Sequence, residues 1–391
     1  MSGSILLFPL ISDSLILKES FKIIQVNLIS SVSQLGMYVC LPVLGYLSDI
    51  YGTYLLALLA IFLLVPPYLI NTLVINSDFD HTSKLMIYSI TFGLIGLGTS
   101  SIYFSSLLTC SKIYPHKKGL SISLPVACYG LSSLIGSQIL KLSWFHNKEG
   151  LNLSRVFQFF AILYLIVGSL NFISTSIVIE HKQSNIDENT ELIPISSIEP
   201  PNHQEKFMKF LKSPVMYILL ISLFLNIGPL ETFQNNLNSI LRLNHYKDLS
   251  KQISLLSIFS TISRLIVGIT SDYVNKLFIL VTILFLGIIN QYLSINYDVV
   301  SLITIINGFI YGGLFTIYPT ILSEIWGVDI LGSTWGLFMI SPAISSTIFS
   351  LIYGSLLDNF NDISQYFKLV TLSFTISFML AIIVAVKRSK K

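Results

Sequence analysis

The sequence predicts an all-α polytopic membrane protein of two six-helix halves, with about twelve transmembrane helices of which the first is truncated. Three observations predict it. Of 391 residues, 53% are hydrophobic and only 11% charged, and mean hydropathy is +0.75; a soluble domain carries about 25% charge. Apolar runs of roughly 20 residues, the length a helix needs to cross a bilayer, recur along the whole chain. One long polar segment, 179–213, divides these runs into two groups.

The opening stretch, MSGSILLFPLISDSLIL, is the short first span. Its clean apolar part runs only from Ile5 to Ile11 before Asp13. No basic segment precedes it, as a signal peptide would require. The shortness predicts that the natural chain begins upstream or that this form inserts its first span poorly. Five full-length runs follow at 22–44, 53–75, 85–108, 119–141 and 155–178. Six more lie at 214–236, 249–270, 276–295, 299–322, 331–356 and 366–386. The intervening 179–213 is polar and rich in proline, which reads as a flexible linker. The expected domains are therefore a first half at 1–178, a cytoplasmic linker at 179–213 and a second half at 214–391.

Orientation follows the Lys/Arg bias, which places basic loops in the cytosol. Lys112, Lys117 and Lys118, the linker lysines and the KRSKK tail lie on one side; Asn152, in the sequon Asn-Leu-Ser, and His245 lie on the other. The expected partners are the lipid bilayer and a small solute, with the chain a monomer. A net charge of +3 gives no sign of nucleic-acid binding. Cys40, Cys110 and Cys128 fall in apolar runs without metal or disulfide spacing. No cofactor is expected. No Gly-rich nucleotide loop and no nucleophile–base pairing appear, so neither an enzyme nor an ATP-driven pump is expected.

The two groups of spans repeat each other. FGLIGLGTSSIYFSSLL and NGFIYGGLFTIYPTIL align at an offset of 215, pairing Gly93 with Gly308, Gly98 with Gly313, and Tyr103 with Tyr318. LPVLGYLSD and RLIVGITSD align at an offset of 223, pairing Gly45 with Gly268 and Asp49 with Asp272. GYLSDIYG, residues 45–52, resembles the loop motif Gly-x-Leu-Ala-Asp-Arg-x-Gly-Arg of the major facilitator superfamily. Gly45, Leu47, Asp49 and Gly52 match, whereas the motif's basic positions are Ile50 and Thr53. GSILLFPL, VNLISSVSQLGMYVCLPVLGYLSD, GPLETFQNN and SEIWGVDILGSTWG further resemble the fungal monocarboxylate-permease homologues, which are akin to plant nodulin-like proteins. The resemblance implies the major facilitator fold, with a substrate site between parallel halves. It also implies a multi-pass transporter of the vacuolar membrane, the plasma membrane being the alternative, and it implies no particular substrate.

Several polar residues are candidates for function. Glu231, Gln234, Asn235 and Asn238 share one helix face at the end of GPLETFQNN. Either they line an outer vestibule and bind substrate, or they form a solvated helix end. Helix rise places Glu231 about 25 Å from Pro214, in the outer half of its span. Arg264 is a candidate anion-binding residue, because its guanidinium pairs bidentately with carboxylates. The alternatives are a structural pair with Asp272 or Glu324, or snorkelling. Tyr103, Tyr318 and Gln34 lie in spans that line the cavity in the superfamily, with plain packing as the competing reading. Asp49 and Asp272, with Gly45, Gly52 and Gly268, are candidate gating elements: an acid facing a helix N-terminus is stabilised by the dipole. Turn chemistry alone would also place Asp there.

Animal monocarboxylate–proton symporters carry an Asp four residues before a substrate-binding Arg, and Arg264 fits that motif's Arg-x3-Gly context. The corresponding position here is Ser260, which cannot carry the proton. The expected function is secondary transport of a small solute, possible organic anions included, by a mechanism unlike that of a typical proton–monocarboxylate symporter. The alternative is a membrane sensor or assembly factor that retains the transporter fold.

Overall fold

The computed structural model describes residues 3–114, 116–147, 150–190, 203–237, 240–241, 249–295, 300–360 and 363–389. Asn238, His245, residues 191–202 of the linker, and Lys390 and Lys391 of the basic tail lie outside the described residues. The helices are α1 (Phe8–Glu19), α2 (Ile23–Val39), α3 (Leu41–Tyr51), α4 (Thr53–Val74), α5 (His81–Ile113), α6 (Lys118–Ile139), α7 (Leu153–Thr190), α8 (His203–Leu211), α9 (Pro214–Asn235), α10 (Leu249–Ser271), α11 (Lys276–Leu293), α12 (Val300–Trp326), α13 (Leu331–Phe338), α14 (Ile340–Phe360) and α15 (Ser364–Ser389). A two-residue antiparallel pairing of His146–Asn147 with Gly150–Leu151 closes the turn before α7.

Among the described residues, 11 helices are long and apolar enough to cross a membrane. Helix α1 has only 12 residues and follows a single helical turn at Ser4–Leu7. The second span runs Leu28–Tyr51 rather than 22–44. It joins α2 to α3 across Cys40, where Pro42 lacks the N–H that a continuous helix would need. The expected linker differs most from the structure. Helix α7 continues to Thr190, well past the membrane run, and α8 occupies His203–Leu211. Polar residues such as Glu, Gln and Lys are good helix formers, so the end of an apolar run is not the end of the helix.

The chain divides into two compact units. One comprises Met1–Ile113 and Ser132–Lys206, the other Tyr114–Leu131 and Phe207–Lys391. The first part of α6 therefore packs with the second unit, although sequence order places it among the first six spans.

In the first unit, Tyr68 and Tyr164 both donate their hydroxyl protons to Ser4 Oγ, at 2.8 and 2.6 Å. Their rings stack beside Phe157 and Phe160 in a buried aromatic cluster. These contacts seat the short N-terminal segment. Lys84 of α5 pairs with Glu19 at the end of α1, at 2.7 Å.

The second unit repeats the first unit's helix pairing. Helix α2 lies against α5 as α10 lies against α12. A Cβ on Gly96 would overlap the Ser33 carbonyl of α2, and one on Gly312 would overlap the Ser260 carbonyl of α10. Such close backbone approach is how membrane helices gain van der Waals contact when lipid offers no hydrophobic drive. The repeat-paired Gly98 and Gly313 face Leu64 of α4 and Ile283 of α11 respectively.

Helix α9 passes through Pro229 without ending. Proline removes the N–H that would bond the Leu225 carbonyl. Ser373 of α15 donates to that carbonyl instead, at 2.6 Å, and Ser345 of α14 donates to the neighbouring Phe224 carbonyl. In a bilayer these substitutes matter, because water cannot reach the freed group.

Candidate functional site

Arg264 stands on α10 and is 5% exposed. Its Nη1 donates to the Val126 carbonyl of α6 at 2.6 Å. The guanidinium lies against Gly130, where a Cβ would collide with it. Its Nε has no hydrogen-bond partner, and no carboxylate pairs with it among the described residues. Neither Asp272 nor Glu324 pairs with this charge among the described residues, and its bond to the Val126 carbonyl is a structural contact. Asp272 is engaged at the start of α6, Glu324 pairs with Lys276, and burial excludes snorkelling to water.

Glu231 is 8% exposed, so it is not part of a solvated helix end. Tyr311 of α12 directs its hydroxyl to Glu231 Oε1 at 3.5 Å, a long contact. The same hydroxyl lies within electrostatic reach of Arg264 and of Tyr129 on α6. Helix depth separates Glu231 from Arg264 in the sequence reading, yet the fold gives them Tyr311 as a common neighbour. Tyr311, Tyr129 and Gly130 are the members of this cluster that motif reasoning misses. The available signal was asymmetry: at the 215 offset Tyr311 corresponds to Gly96, and at the 223 offset Arg264 corresponds to Leu41.

The other candidates lie elsewhere. Asn235 is exposed at the end of α9, and the adjacent Asn236 caps that helix by donating to the Thr232 carbonyl at 3.0 Å. Tyr318 is fully buried, its hydroxyl occupied by Ser222 at 2.8 Å and Asn226 at 3.0 Å, with Ser377 completing the network. That arrangement joins α9, α12 and α15 and leaves the hydroxyl committed to structure. In the first unit, Gln34 is exposed on α2 and Tyr103 is half-buried on α5 beside Phe104.

The gating candidates resolve into two different arrangements. Asp272 accepts the Gly119 N–H at Oδ1 (2.7 Å) and the Leu120 N–H at Oδ2 (3.0 Å). Its carboxylate thus covers the first turn of α6, where unpaired N–H groups and the dipole favour negative charge. Lys118 donates to the Ser323 carbonyl near the end of α12 at 3.2 Å. Gly268 lets α6 approach closely, since a Cβ there would strike Ser123. Asp49, the counterpart, lies 3.6 Å from His203 Nε2 of α8, and the His203 ring meets Tyr46 edge-on. Gly45 is buried on α3. Gly52 ends α3 at φ 95°, a conformation that favours glycine.

Comparison with known proteins places this geometry. A family model described as Major Facilitator Superfamily matches residues 1–349. The chain belongs to the major facilitator superfamily. Its relatives within the superfamily include a Debaryomyces hansenii protein named probable transporter MCH1, 45% identical over 98% of this chain and 89% of its own length. The Candida albicans protein of the same name is 48% identical over 94% of this chain and 85% of its own. That of Saccharomyces cerevisiae is 36% identical over 92% and 85%. Among solved superfamily structures, a bacterial homologue of the iron transporter ferroportin in an outward-facing state superposes with a TM-score of 0.71 at 13% identity, covering 98% of this chain and 96% of that one. The human organic anion transporter MFSD10 gives 0.67 at 13% identity, covering 95% and 88%. These likenesses establish the superfamily fold. The protein is thus a multi-pass membrane protein of a transporter family.

Proposed function

We propose that the protein carries a small organic anion across a membrane by alternating access, with Arg264 as the anion's charge partner. The observation that carries this reading is a buried guanidinium with an unsatisfied Nε and no acid paired to it. Desolvating a charge costs several kcal/mol, and a bilayer-spanning helix retains one where a function requires it. An anionic substrate supplies the missing partner. Tyr311, whose hydroxyl points to Glu231, lies within electrostatic reach of Arg264, and Glu231 adds a carboxylate that can take up or release a proton as the substrate's charge arrives or leaves.

Ser260, one turn before Arg264, carries no proton, so the mechanism is not that of a typical monocarboxylate–proton symporter. Asp272 holds the start of α6 in one state and releases it in the other. The halves that move are residues 1–178 and 214–391. The protein works as a monomer in the vacuolar membrane, an assignment that rests on the resemblance to the fungal homologues.

The test is uptake of small organic anions by purified protein in liposomes. Saturable uptake of an anion that is lost in Arg264→Ala supports the proposal. Saturable uptake of only neutral or cationic solutes, insensitive to Arg264→Ala, contradicts it. A tagged chain found at the plasma membrane contradicts the location alone.

A further inference from the structure

A groove of about 720 Å³ opens between the start of α11, the end of α12 and the end of α15. Its rim carries Lys276, Glu324 and Arg388, and its walls include Phe278, Val281 and Val386. Lys276 is matched by Glu324 in an ion pair. Arg388 is exposed in the last turn of α15 and has no ion pair among the described residues. The rim therefore keeps one uncompensated positive charge. Below it the wall turns apolar and outward: Phe278 is 65% exposed and Val386 50% exposed. Lys276, Glu324 and Arg388 lie at or near the ends of helices long and apolar enough to cross a membrane. The basic tail assigns this end to the cytosol, and the cytoplasmic leaflet is where anionic lipids attract basic residues.

A soluble phosphate has no use for the exposed apolar wall, and a zwitterionic lipid brings a cation of its own with its phosphate, so it leaves the spare guanidinium's charge uncompensated. A ligand that satisfies both has a negative headgroup and an acyl chain. We propose that this groove binds one anionic glycerophospholipid, with its phosphate at Arg388 and an acyl chain along Phe278, Val281 and Val386. Bound there, the lipid bridges α11 and α15 at the end of the second unit. The site involves neither Arg264 nor Glu231, so it stands or falls apart from the transport proposal.

The experiment uses the full chain in nanodiscs of phosphatidylcholine containing a minority of phosphatidylserine, with retained lipid counted by native mass spectrometry. One phosphatidylserine is expected to stay bound in preference to phosphatidylcholine. Arg388→Ala is expected to weaken that preference about fivefold, the usual effect of one basic residue near an anionic surface. Phe278→Ala weakens it as well. Lys387→Ala, one residue away and not lining the groove, leaves it unchanged. Soluble glycerophosphoserine does not displace the lipid. Equal retention of the two lipids overturns the proposal. So does a Lys387→Ala effect as large as that of Arg388→Ala, which indicates diffuse surface attraction. Full displacement by glycerophosphoserine overturns it too, because the site then recognises phosphate alone.

Discussion

At the middle of their long spans, the two units pack helices alike and fill the space between them differently. In the first unit, Gly96 lies against the Ser33 carbonyl, Leu41 is buried, and Ser4 accepts from Tyr68 and Tyr164. In the second, Gly312 makes a like contact with the Ser260 carbonyl, one residue out of the 215 register, and at the repeat's sequence offsets Tyr311 and Arg264 align with Gly96 and Leu41. A backbone plan fixed by glycine contacts tolerates unequal side chains. The first unit also buries polar atoms without a hydrogen-bond partner, Ser33 Oγ, Asn71 Nδ2 and Thr99 Oγ1 among them, but these three belong to neutral side chains. The second buries two ionisable side chains, Arg264 and Glu231, and leaves the Arg264 Nε without a hydrogen-bond partner.

The largest expected effect breaks this inequality directly. Arg264→Ala should lower anion uptake in liposomes about 100-fold, the equivalent of losing a charge-assisted hydrogen bond of up to ~3 kcal/mol, while the protein still reaches its membrane. Arg264→Lys should restore only part, since an ammonium lacks the planar fork. Leu41→Val, at the first unit's corresponding position, should leave uptake near the wild-type level. If Leu41→Val were as damaging, the first unit would share the site and the contrast would collapse.

Glu231→Gln sharpens the same contrast. If Glu231 moves the proton, an imposed pH gradient should no longer drive accumulation of the anion, and exchange without a gradient should persist. Accumulation that still follows the gradient in Glu231→Gln removes Glu231 from coupling and leaves it a structural neighbour of Tyr311.

Much of this was legible in the sequence. The spans, their duplication and the acids at Asp49 and Asp272 follow from apolar run length and from spacing, both of which are local. Gly98 and Gly313, against Leu64 and Ile283, are visible as paired glycines, whereas Gly96 and Gly312, which approach the Ser33 and Ser260 carbonyls, are not paired by the repeat. The partners were not legible. Asp272 meets Gly119 and Leu120 across more than 150 residues of chain, and nothing in either stretch marks the other. Tyr318 looked equivalent to Tyr103 because the repeat pairs them, but Ser222, Asn226 and Ser377 decide its role. Tyr311 escaped notice because a search for duplication favours matched positions, and the cluster lies at unmatched ones. The helical part of the expected linker escaped because polarity ends a membrane run without ending a helix.

The next prediction tests whether the shared packing carries unequal consequences. Gly96→Ala and Gly312→Ala should each destabilise the protein by ~1–3 kcal/mol, because the added methyl meets backbone that cannot yield cheaply. Thermal unfolding in detergent measures this. Gly312→Ala should also impair uptake beyond its loss of stability, since it adjoins Tyr311. Gly96→Ala should impair it only as far as folded protein is lost.

The smallest effect concerns the two repeat-paired acids. Asp272→Asn preserves shape and one acceptor oxygen but removes the charge that faces the start of α6. A charge at a helix N-terminus contributes ~0.3–1 kcal/mol, so opening of this contact should become roughly two- to fivefold more frequent. Hydrogen exchange over residues 117–123 should rise by that factor, since the Gly119 and Leu120 N–H groups are the ones released. Asp49→Asn should act in a different place. Its carboxylate faces His203, and that histidine begins α8, so faster exchange is expected over residues 203–211. If each substitution instead loosened the same segment, the acids would share one latch, and their different neighbours would have no separate consequence. If Asp272→Asn left exchange over 117–123 unchanged, the two N–H groups would be held by the packing of Gly119 against Ser271 and Gly268. The carboxylate would then be a passenger at the crossing rather than its fastening.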